Sequence, residues 1–338
     1  MRLSVKIILK YLIYYPVMVF CCLEIAFRIL GYQHYKNEDY SVQARPVNAF
    51  VGDPTLGIRL QPGEYQITIN DALSFHARHL ENHTRYVSDC EVPDHPDILF
   101  LGCSFTYGFG VNDDQHFTSL LQQQHQTWSF QNAGVIGYGT VQSLLQLQER
   151  VDTQRLKAVV LNLSSLHFMR NTLSPQYRSN LKIGYARSSQ AVESQMEQAR
   201  FPYRASCAEP IQYASWKDIY RNWPGREWLA SINWFQTLYD TSRENRGAQV
   251  ENTLCLIREM DAICQAHHIS FGIACLDSSP GTNWLKSKAG SIPWVDVGFD
   301  FSDEKLINYP YDSHPNPTGH RLIAERIEPL LIQLLDEK

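Results

Sequence analysis

From residue 97 onward, the chain alternates short apolar runs with segments of helical periodicity. Short runs that are predominantly apolar are typical of strands buried on both faces of a parallel sheet. The apolar runs are 98–101, 128–130, 158–163, 269–276 and 294–297. The helix-like segments are 115–126, 140–151, 249–267 and 317–335. This alternation predicts an α/β fold, a three-layer, doubly wound parallel sheet with helices on both faces.

The N-terminal region holds the longest apolar segment. Three basic residues precede a run from Tyr11 to Leu30, and about 20 helical residues cross a hydrocarbon core of roughly 30 Å. Glu24 and Arg28 interrupt its far end but lie four apart on one helical face, where they can pair. The excess of basic residues before the run predicts a single-pass transmembrane anchor over 1–33, with an exported body. A cleaved signal peptide and a helix lying on the membrane surface are the alternatives.

Two further segments do not follow the strand and helix rhythm. Residues 34–92 are polar with turn signals, and predict a connecting stalk or a small cap before a domain over 93–338. Residues 172–248 hold four of the seven tryptophans and predict an aromatic-rich insertion that could act as a lid. Its aromatic side chains could stack on a sugar or pack the insertion onto the main domain.

Charge and cysteine usage exclude several classes of protein. The chain has 30 Lys+Arg against 35 Asp+Glu and no long basic run, so no nucleic-acid partner is expected. The eight cysteines form no C-x-x-C pair, so neither a metal site nor a dense disulfide framework is indicated. A disulfide such as Cys90 to Cys207 stays open if the domain lies in an oxidising compartment.

Three segments carry residue types suited to acyl transfer. The first apolar strand ends in Gly102 and delivers Ser104 to the carboxyl edge of the sheet, where open α/β folds bind ligands. A glycine-rich turn after Asn132 contains Gly137, whose backbone N–H can approach an oxyanion. Taken singly, each has an ordinary structural explanation, because serines cap helices and glycines occupy turns.

The third segment is a loop before the last helix, with Asp312 and His314. Serine is a poor nucleophile at neutral pH, so it needs a neutral imidazole to take its proton and a carboxylate to orient that imidazole. Ser104, His314 and Asp312 supply these three roles. The co-occurrence of the three segments, rather than any one of them, points to nucleophilic catalysis.

In this order, the three segments resemble the blocks of the SGNH (GDSL-like) hydrolase superfamily. The resemblance spans 97–325 and implies a flavodoxin-like sheet with Ser104 as nucleophile and the N–H groups of Ser104 and Gly137 as oxyanion donors. The segments 24–31 and 53–60 resemble bacterial membrane-anchored members, many of which are associated with cell-surface carbohydrate modification.

The chain departs from the family pattern at three places. Cys103 replaces the aspartate that commonly precedes the serine, and its place on the other side of the strand end predicts that it points away from Ser104. The family has a further block between the second and third segments described above, its third block, which corresponds here to 159–171. In this chain that block lacks an asparagine at the usual oxyanion position. Substitute donors there are Asn171, His167 and Ser164.

The spacing of the acid and the base is the third departure. Asp312 and His314 are two residues apart, whereas many members have three, so Asp303 and Asp300 are alternative acids. His320 is assigned to the final helix rather than to catalysis.

These patterns predict a serine esterase or O-acyltransferase that acts on an O-acyl group, most simply acetyl, of a carbohydrate or on another ester. An acyl-Ser104 intermediate needs no metal and no organic cofactor. The predicted location is the cell inner membrane, with the catalytic domain on the periplasmic side. The alternatives are a non-catalytic, membrane-tethered carbohydrate-binding or assembly protein with a degenerate site, and a lipase-like esterase with an apolar cleft lined by 172–248.

Overall fold

The computed structural model of the chain describes residues 5–36, 40–89, 97–152, 155–184 and 194–336. Its strands are β1 (Val42–Arg45), β2 (Phe50–Asp53), β3 (Gly57–Leu60), β4 (Gly63–Ile69), β5 (Leu73–His79), β6 (Asp97–Leu101), β7 (Ser129–Asn132), β8 (Leu156–Leu163), β9 (Arg200–Tyr203), β10 (Gln212–Ser215), β11 (Ser270–Cys275) and β12 (Trp294–Asp296). Its helices are α1 (Val5–Ile29), α2 (Ser104–Tyr107), α3 (Phe117–Gln124), α4 (Thr140–Arg150), α5 (Leu166–Asn171), α6 (Pro175–Gly184), α7 (Ala230–Ser242), α8 (Arg246–Ala266), α9 (Pro280–Lys288) and α10 (Pro317–Asp336). The chain forms two compact units, Met1–Glu38 with Tyr220–Glu244, and Asp39–Ile219 with Asn245–Lys338.

The larger unit is built on a five-stranded parallel sheet of order β12-β11-β8-β6-β7. In chain order, these strands are arranged 2-1-3-4-5, the flavodoxin-like order of doubly wound folds. The direction of winding reverses between β6 and β8. The carboxyl ends of these two strands therefore frame the crevice in which such folds bind their ligands.

Alternate residues of the central strands enter two separate cores. In β6 and β8, Leu99 and Val159 lie in a core with α4, α5, α8 and α9. Ile98 and Ala158 lie in a core with α3 and α10 on the opposite face. Because successive strand residues point to opposite faces, this separation identifies three layers. The predicted fold class, and the five strands and four helices predicted for it, are confirmed.

Residues 40–89 belong to the same compact unit as the central sheet and do not form an irregular stalk. They contain a three-stranded antiparallel sheet of order β1-β4-β5 and the hairpin of β2 and β3. Buried residues alternate along β4 and β5, where Tyr65, Ile67 and Ile69 face inward together with Phe75 and Ala77. This period of two is the signal for half-buried strands that the turn residues of the segment obscure.

The aromatic-rich segment 172–248 does not form a single insertion. Residues 175–184 and 194–219 lie in the larger unit and contribute α6, β9 and β10, whereas 220–244 belong to the smaller unit with α1. Cys207, after β9, forms a disulfide with Cys255 of α8. The pairing of Cys207 with Cys90 is therefore wrong, and Cys90 itself lies outside the described residues.

The smaller unit contains α1 and α7. Within α1, the stretch Lys10–Ile29 is 20 residues long, has a mean hydropathy of 1.8 and has 6% of its residues buried. By length and composition this helix can cross a membrane, a property that it shares with a signal sequence.

Candidate active site

Ser104 is positioned by a sharp turn at the carboxyl end of β6. Gly102 has φ +153°, and a Cβ there would lie 2.9 Å from the backbone oxygen of Asn162, so the close packing of β6 on β8 needs glycine. Cys103 is fully buried in the core on the α3 and α10 face, which agrees with its predicted direction away from the site. Ser104 then opens α2 at the switch point of the sheet and is 6% exposed.

His314 connects Ser104 to Asp312. Its Nε2 lies 2.8 Å from Ser104 Oγ, and its Nδ1 is hydrogen-bonded to Asp312 Oδ1. Because an ionised carboxylate only accepts, Nδ1 carries the proton and Nε2 is free to accept from the serine hydroxyl. Thus the structure brings together all three predicted triad residues in the order nucleophile, base and acid.

The two-residue spacing of acid and base suits this geometry. Asp312 Oδ1 also accepts the backbone N–H of His314 at 2.7 Å, so the carboxylate folds back over its own loop. The alternative acids are engaged elsewhere, because Asp300 accepts from Ser302 and Asp303 accepts from the N–H of Lys305.

The loop that carries the acid and the base is held by Asn308, which the sequence does not single out. Its side-chain amide donates to the backbone oxygens of His314 (3.1 Å) and Pro315 (3.2 Å). The rings of Phe105 and Phe109 lie 5.2 and 5.1 Å from the imidazole of His314. The imidazole is therefore fixed by backbone clamps and by aromatic packing as well as by its two polar partners.

Asp312 has a second hydrogen-bond partner, which lies near the N-terminal end of the same unit in sequence. The hydroxyl of Tyr40 donates to Asp312 Oδ2 at 2.8 Å. Burial alone would raise the pKa of Asp312, but the hydrogen bonds from His314 and Tyr40 outweigh it and hold this pKa below its usual value. The carboxylate is therefore ionised at neutral pH, as an acid that orients an imidazole must be.

The glycine-rich turn after β7 packs directly on the turn that carries Ser104. Asn132 Nδ2 donates to the backbone oxygen of Thr106 at 2.7 Å, and its Oδ1 accepts the N–H of Gly134. A Cβ on Gly134 would lie 2.7 Å from Thr106 Cβ. Asn132 and Gly134 thus hold the glycine-rich turn against α2.

Gly137 follows in this turn with φ +75°, a left-handed conformation that favours glycine. Its carbonyl oxygen accepts a hydrogen bond from the hydroxyl of Tyr177, which anchors the turn. The N–H of Ser104, as the first residue of α2, has no carbonyl four residues before it within the helix. These are the two backbone donors that the resemblance implies.

The substitute donors from the third block are directed into the fold. Asn171 is fully buried, accepts from the N–H of Val141 at 3.0 Å and donates to Thr253 at 2.8 Å. His167 is also fully buried, and burial, followed by the charge of Arg170, holds its pKa well below its usual value. We therefore do not assign either residue to the oxyanion site.

The remaining two residues considered from sequence are also engaged away from Ser104. The Oγ of Ser164 accepts the N–H of Leu166 at 3.3 Å. His320 is fully buried in α10, and its Nδ1 accepts the N–H of Phe117. Burial lowers the pKa of His320 to about 3, which keeps it neutral. Across the described ranges, no three His, Cys, Asp or Glu side chains cluster as a metal site would require.

No protein-family model and no curated protein matches the chain. Several solved structures resemble it at low identity. The psychrotrophic esterase EstA of Pseudoalteromonas is 12% identical, and the match covers 71% of this chain and 99% of that one with a TM-score of 0.40. A member of the lipolytic protein G-D-S-L family from Veillonella parvula is 10% identical over 69% and 96% of the two chains, with a TM-score of 0.37. AlinE4, an SGNH-hydrolase family esterase, is 14% identical over 72% and 99%, with a TM-score of 0.34.

Proposed function

We propose that this chain is an SGNH-type serine hydrolase or acyltransferase that uses Ser104 as its nucleophile. The hydrogen-bonded series Ser104, His314 and Asp312 is the observation that carries the proposal. A chance contact between a serine and a histidine would not require the second imidazole nitrogen to face a buried carboxylate. The complete series is what activation of a serine hydroxyl needs.

The geometry supports a two-step reaction. As Ser104 Oγ bonds to the ester carbonyl carbon, His314 Nε2 takes the hydroxyl proton, and Asp312 stabilises the imidazolium. His314 then gives this proton to the leaving alcohol oxygen as the C–O bond of the ester breaks. Water, or a hydroxyl of an acceptor, next attacks the acyl-serine and regenerates Ser104. Hydrolysis and transfer differ only in which hydroxyl intercepts this intermediate.

The backbone N–H groups of Ser104 and Gly137 are the proposed oxyanion donors. With Asn171 engaged inside the fold, we assign no side-chain donor from the third block. One oxyanion donor is typically worth about 100- to 1,000-fold in rate. We therefore expect slower turnover than in a site with three donors.

The proposed substrate is an O-acyl group, most simply acetyl, on a carbohydrate. Two exposed tyrosines, Tyr309 and Tyr311, lie in the loop that carries Asp312 and are 57% and 47% exposed. A tyrosine ring offers an apolar face for a sugar ring and a hydroxyl for its polar edge. This exposed pair supports a carbohydrate as the alcohol part of the ester.

The test compares ester substrates on the purified full chain. We expect hydrolysis of acetylated oligosaccharides, lost in Ser104→Ala and retained in Ser302→Ala, an exposed serine outside the triad. Acetyl transfer to an added unmodified oligosaccharide would identify a transferase. A preference for long-chain esters would favour the lipase-like alternative. Oligosaccharide binding without turnover of any ester would overturn the proposal in favour of a carbohydrate-binding protein.

We also propose that α1 is a retained single-pass anchor in the inner membrane, with the body in the periplasm. Both oxygens of Glu24 accept from the first turn of α7, namely the N–H groups of Ala230 and Ser231 at 2.9 Å and the hydroxyl of Ser231 at 2.7 Å. Arg28 pairs with Glu24 at 2.6 Å and donates to the backbone oxygen of Trp228.

Aromatic packing reinforces these polar contacts. The ring of Phe27 lies 5.1 Å from that of Trp234 and 5.9 Å from that of Phe235. Removal of a signal peptide would leave the N-terminus of α7 without these partners, which supports retention. The Cys207–Cys255 disulfide supports an oxidising compartment for the body.

Membrane attachment is tested on the protein made in a bacterium. We expect α1 to be present in the mature chain by mass spectrometry and the protein to resist alkaline extraction from membranes. A C-terminal alkaline phosphatase fusion should be active, since this reporter folds only after export. A mature chain that begins after residue 30, or an inactive fusion, would overturn this part of the proposal.

A further inference from the structure

The two oxygens of the Asp312 carboxylate have different hydrogen-bond partners. Oδ1 accepts both the backbone N–H and the Nδ1–H of His314, and the side chain of Asp312 is only 4% exposed. Oδ2, which lies on the side away from the imidazole, is therefore shielded from water. A buried carboxylate oxygen without a donor is strongly unfavourable. The hydroxyl of Tyr40 supplies that donor at 2.8 Å.

We infer that Tyr40 is a positioning residue of the triad, which fixes the Asp312 carboxylate so that Oδ1 faces the imidazole of His314. This inference rests on the proposed function of Ser104 and His314. It places the segment just before β1, which the sequence suggests to be a stalk or a cap, in the catalytic machinery.

Tyr40 is itself held by backbone contacts of the small sheet. The residue after it, Ser41, exchanges hydrogen bonds with Asn70 in the turn between β4 and β5, where the N–H of Ser41 reaches Asn70 Oδ1 and the N–H of Asn70 reaches the Ser41 oxygen, both at 2.9 Å. Asn70 Nδ2 also donates to the backbone oxygen of Tyr311 at 3.0 Å. The same edge of the three-stranded sheet β1-β4-β5 thus contacts the loop of Asp312 and His314 at two successive residues, at the backbone oxygen of Tyr311 and at the carboxylate of Asp312.

Tyr40 can serve only as a donor to Asp312. Burial, followed by the charge of Asp312, raises the pKa of Tyr40, so the phenol stays protonated over the range in which a serine hydrolase works. Among the described residues, Asp312 and His314 influence each other, and the neutral His320 of α10 is the other titratable group that interacts with His314. None of these groups replaces a lost phenol at Oδ2.

The test is Tyr40→Phe in the full chain, which keeps the ring and removes the hydroxyl. Tyr65→Phe is the matched control, because its hydroxyl lies in the same small sheet and donates to the backbone oxygen of Pro62. For Tyr40→Phe we expect kcat of ester hydrolysis to fall about tenfold with KM unchanged, since a hydrogen bond to a charged group is lost. The part of the acidic limb that reports protonation of Asp312 should move to higher pH, because a carboxylate that has lost a donor ionises less readily. Tyr65→Phe should change neither quantity.

Asn70→Gly separates charge from loop position. It removes the side-chain contacts to the N–H of Ser41 and to the oxygen of Tyr311, whereas the backbone N–H at position 70 still donates to the Ser41 oxygen and keeps the Tyr40 segment in place. Glycine accepts the φ of +51° at this position. We expect it to lower kcat while leaving the acidic limb in place, since the phenol donor remains. An equal shift of the limb in Asn70→Gly and Tyr40→Phe would show that loop position alone matters and would overturn the inference.

A readout independent of turnover keeps this inference distinct from the proposed function. Proton NMR follows the hydrogen-bonded Nδ1–H of His314, assigned by its absence in His314→Gln. This signal should shift or broaden in Tyr40→Phe and stay unchanged in Tyr65→Phe. If the signal responds in this way but the wild type turns over no ester, the proposed function fails and the positioning role stands. If Tyr40→Phe matches the wild type in signal, kcat and pH profile, the positioning role is refuted.

Discussion

Arg85 follows β5 in the chain and offers the sharpest test of how residues 40–89 stabilise the turn after Ser104. Its side chain is 0% exposed and makes five hydrogen bonds. Nε donates to Asp113 at 2.9 Å. The other four reach backbone oxygens, namely those of Tyr107 (2.9 Å), Gly108 (2.6 Å), Val111 (2.7 Å) and His76 (3.1 Å). Three of these carbonyls belong to the last residue of the Ser104 helix and to the turn that directly follows it.

The perturbation is Arg85→Lys, which keeps the charge but replaces a planar fork of five donors with three donors on one nitrogen. At least two of the five acceptors then lose their partner. An unsatisfied buried acceptor costs about 1–3 kcal/mol, so the free energy of unfolding should fall by about 2–5 kcal/mol. Because the freed carbonyls adjoin α2, kcat should fall as well.

The measurement is urea unfolding followed by tryptophan fluorescence, with Arg78→Lys as the matched control. Arg78 lies on β5 with its guanidinium stacked over the ring of Tyr86, on the exposed side of the strand. Substitution there should change the unfolding free energy by less than about 0.5 kcal/mol. A loss below about 1 kcal/mol for Arg85→Lys, or equal losses for the two variants, would refute the view that the hydrogen bonds of Arg85 stabilise this turn.

Three other features of the larger unit can be tested, namely the acid Asp312, two buried histidines and the disulfide. Asp312→Asn should lower kcat of ester hydrolysis about 10³- to 10⁴-fold, because the amide favours the wrong tautomer of the base, and a loss below tenfold would contradict its role. Burial holds the pKa of His116 well below its usual value and that of His320 near 3, so the unfolded chain binds protons that the native chain does not. The free energy of unfolding should therefore fall as the pH drops below about 6.5, by up to about 1.4 kcal/mol per pH unit for each histidine. Equal urea midpoints at pH 7 and pH 5 would contradict this. The Cys207–Cys255 disulfide closes a loop with a sequence separation of 48, so Cys207→Ser should lower the free energy of unfolding by up to about 4 kcal/mol, and unchanged thermal unfolding would show that the bond is dispensable.

The central sheet could be predicted because its middle strands are buried on both faces. Such strands need apolar residues at nearly every position, as in 98–101 and in 158–163, where Asn162 is the one polar residue. The strands of the small sheet face solvent on one side, so β4 and β5 combine apolar residues with Gln66, His76 and Arg78. Between turn residues, this mixture has the composition of a loop, and only the period of two distinguishes it.

The contacts of His314 with Ser104 and Asp312 could be predicted because these residues lie in short segments with distinctive neighbours. Tyr40 could not, because its partner is 272 residues away and no local pattern marks a tyrosine that donates to a distant carboxylate. Asn171 illustrates the opposite error. An asparagine after the third strand has the right chemistry for an oxyanion donor, but its amide is used between Val141 and Thr253. Tertiary packing, rather than residue type, decides which polar groups remain free for a substrate.

The central claim is that Ser104 is an activated nucleophile, and covalent labelling by a fluorophosphonate tests it most directly. The probe is applied to the full chain, to Ser104→Ala and to His314→Ala, and the modified residue is mapped by mass spectrometry. The account predicts labelling of the wild type at Ser104 and none in either variant. A folded wild-type protein that stays unlabelled, or labelling that persists in Ser104→Ala, would contradict it.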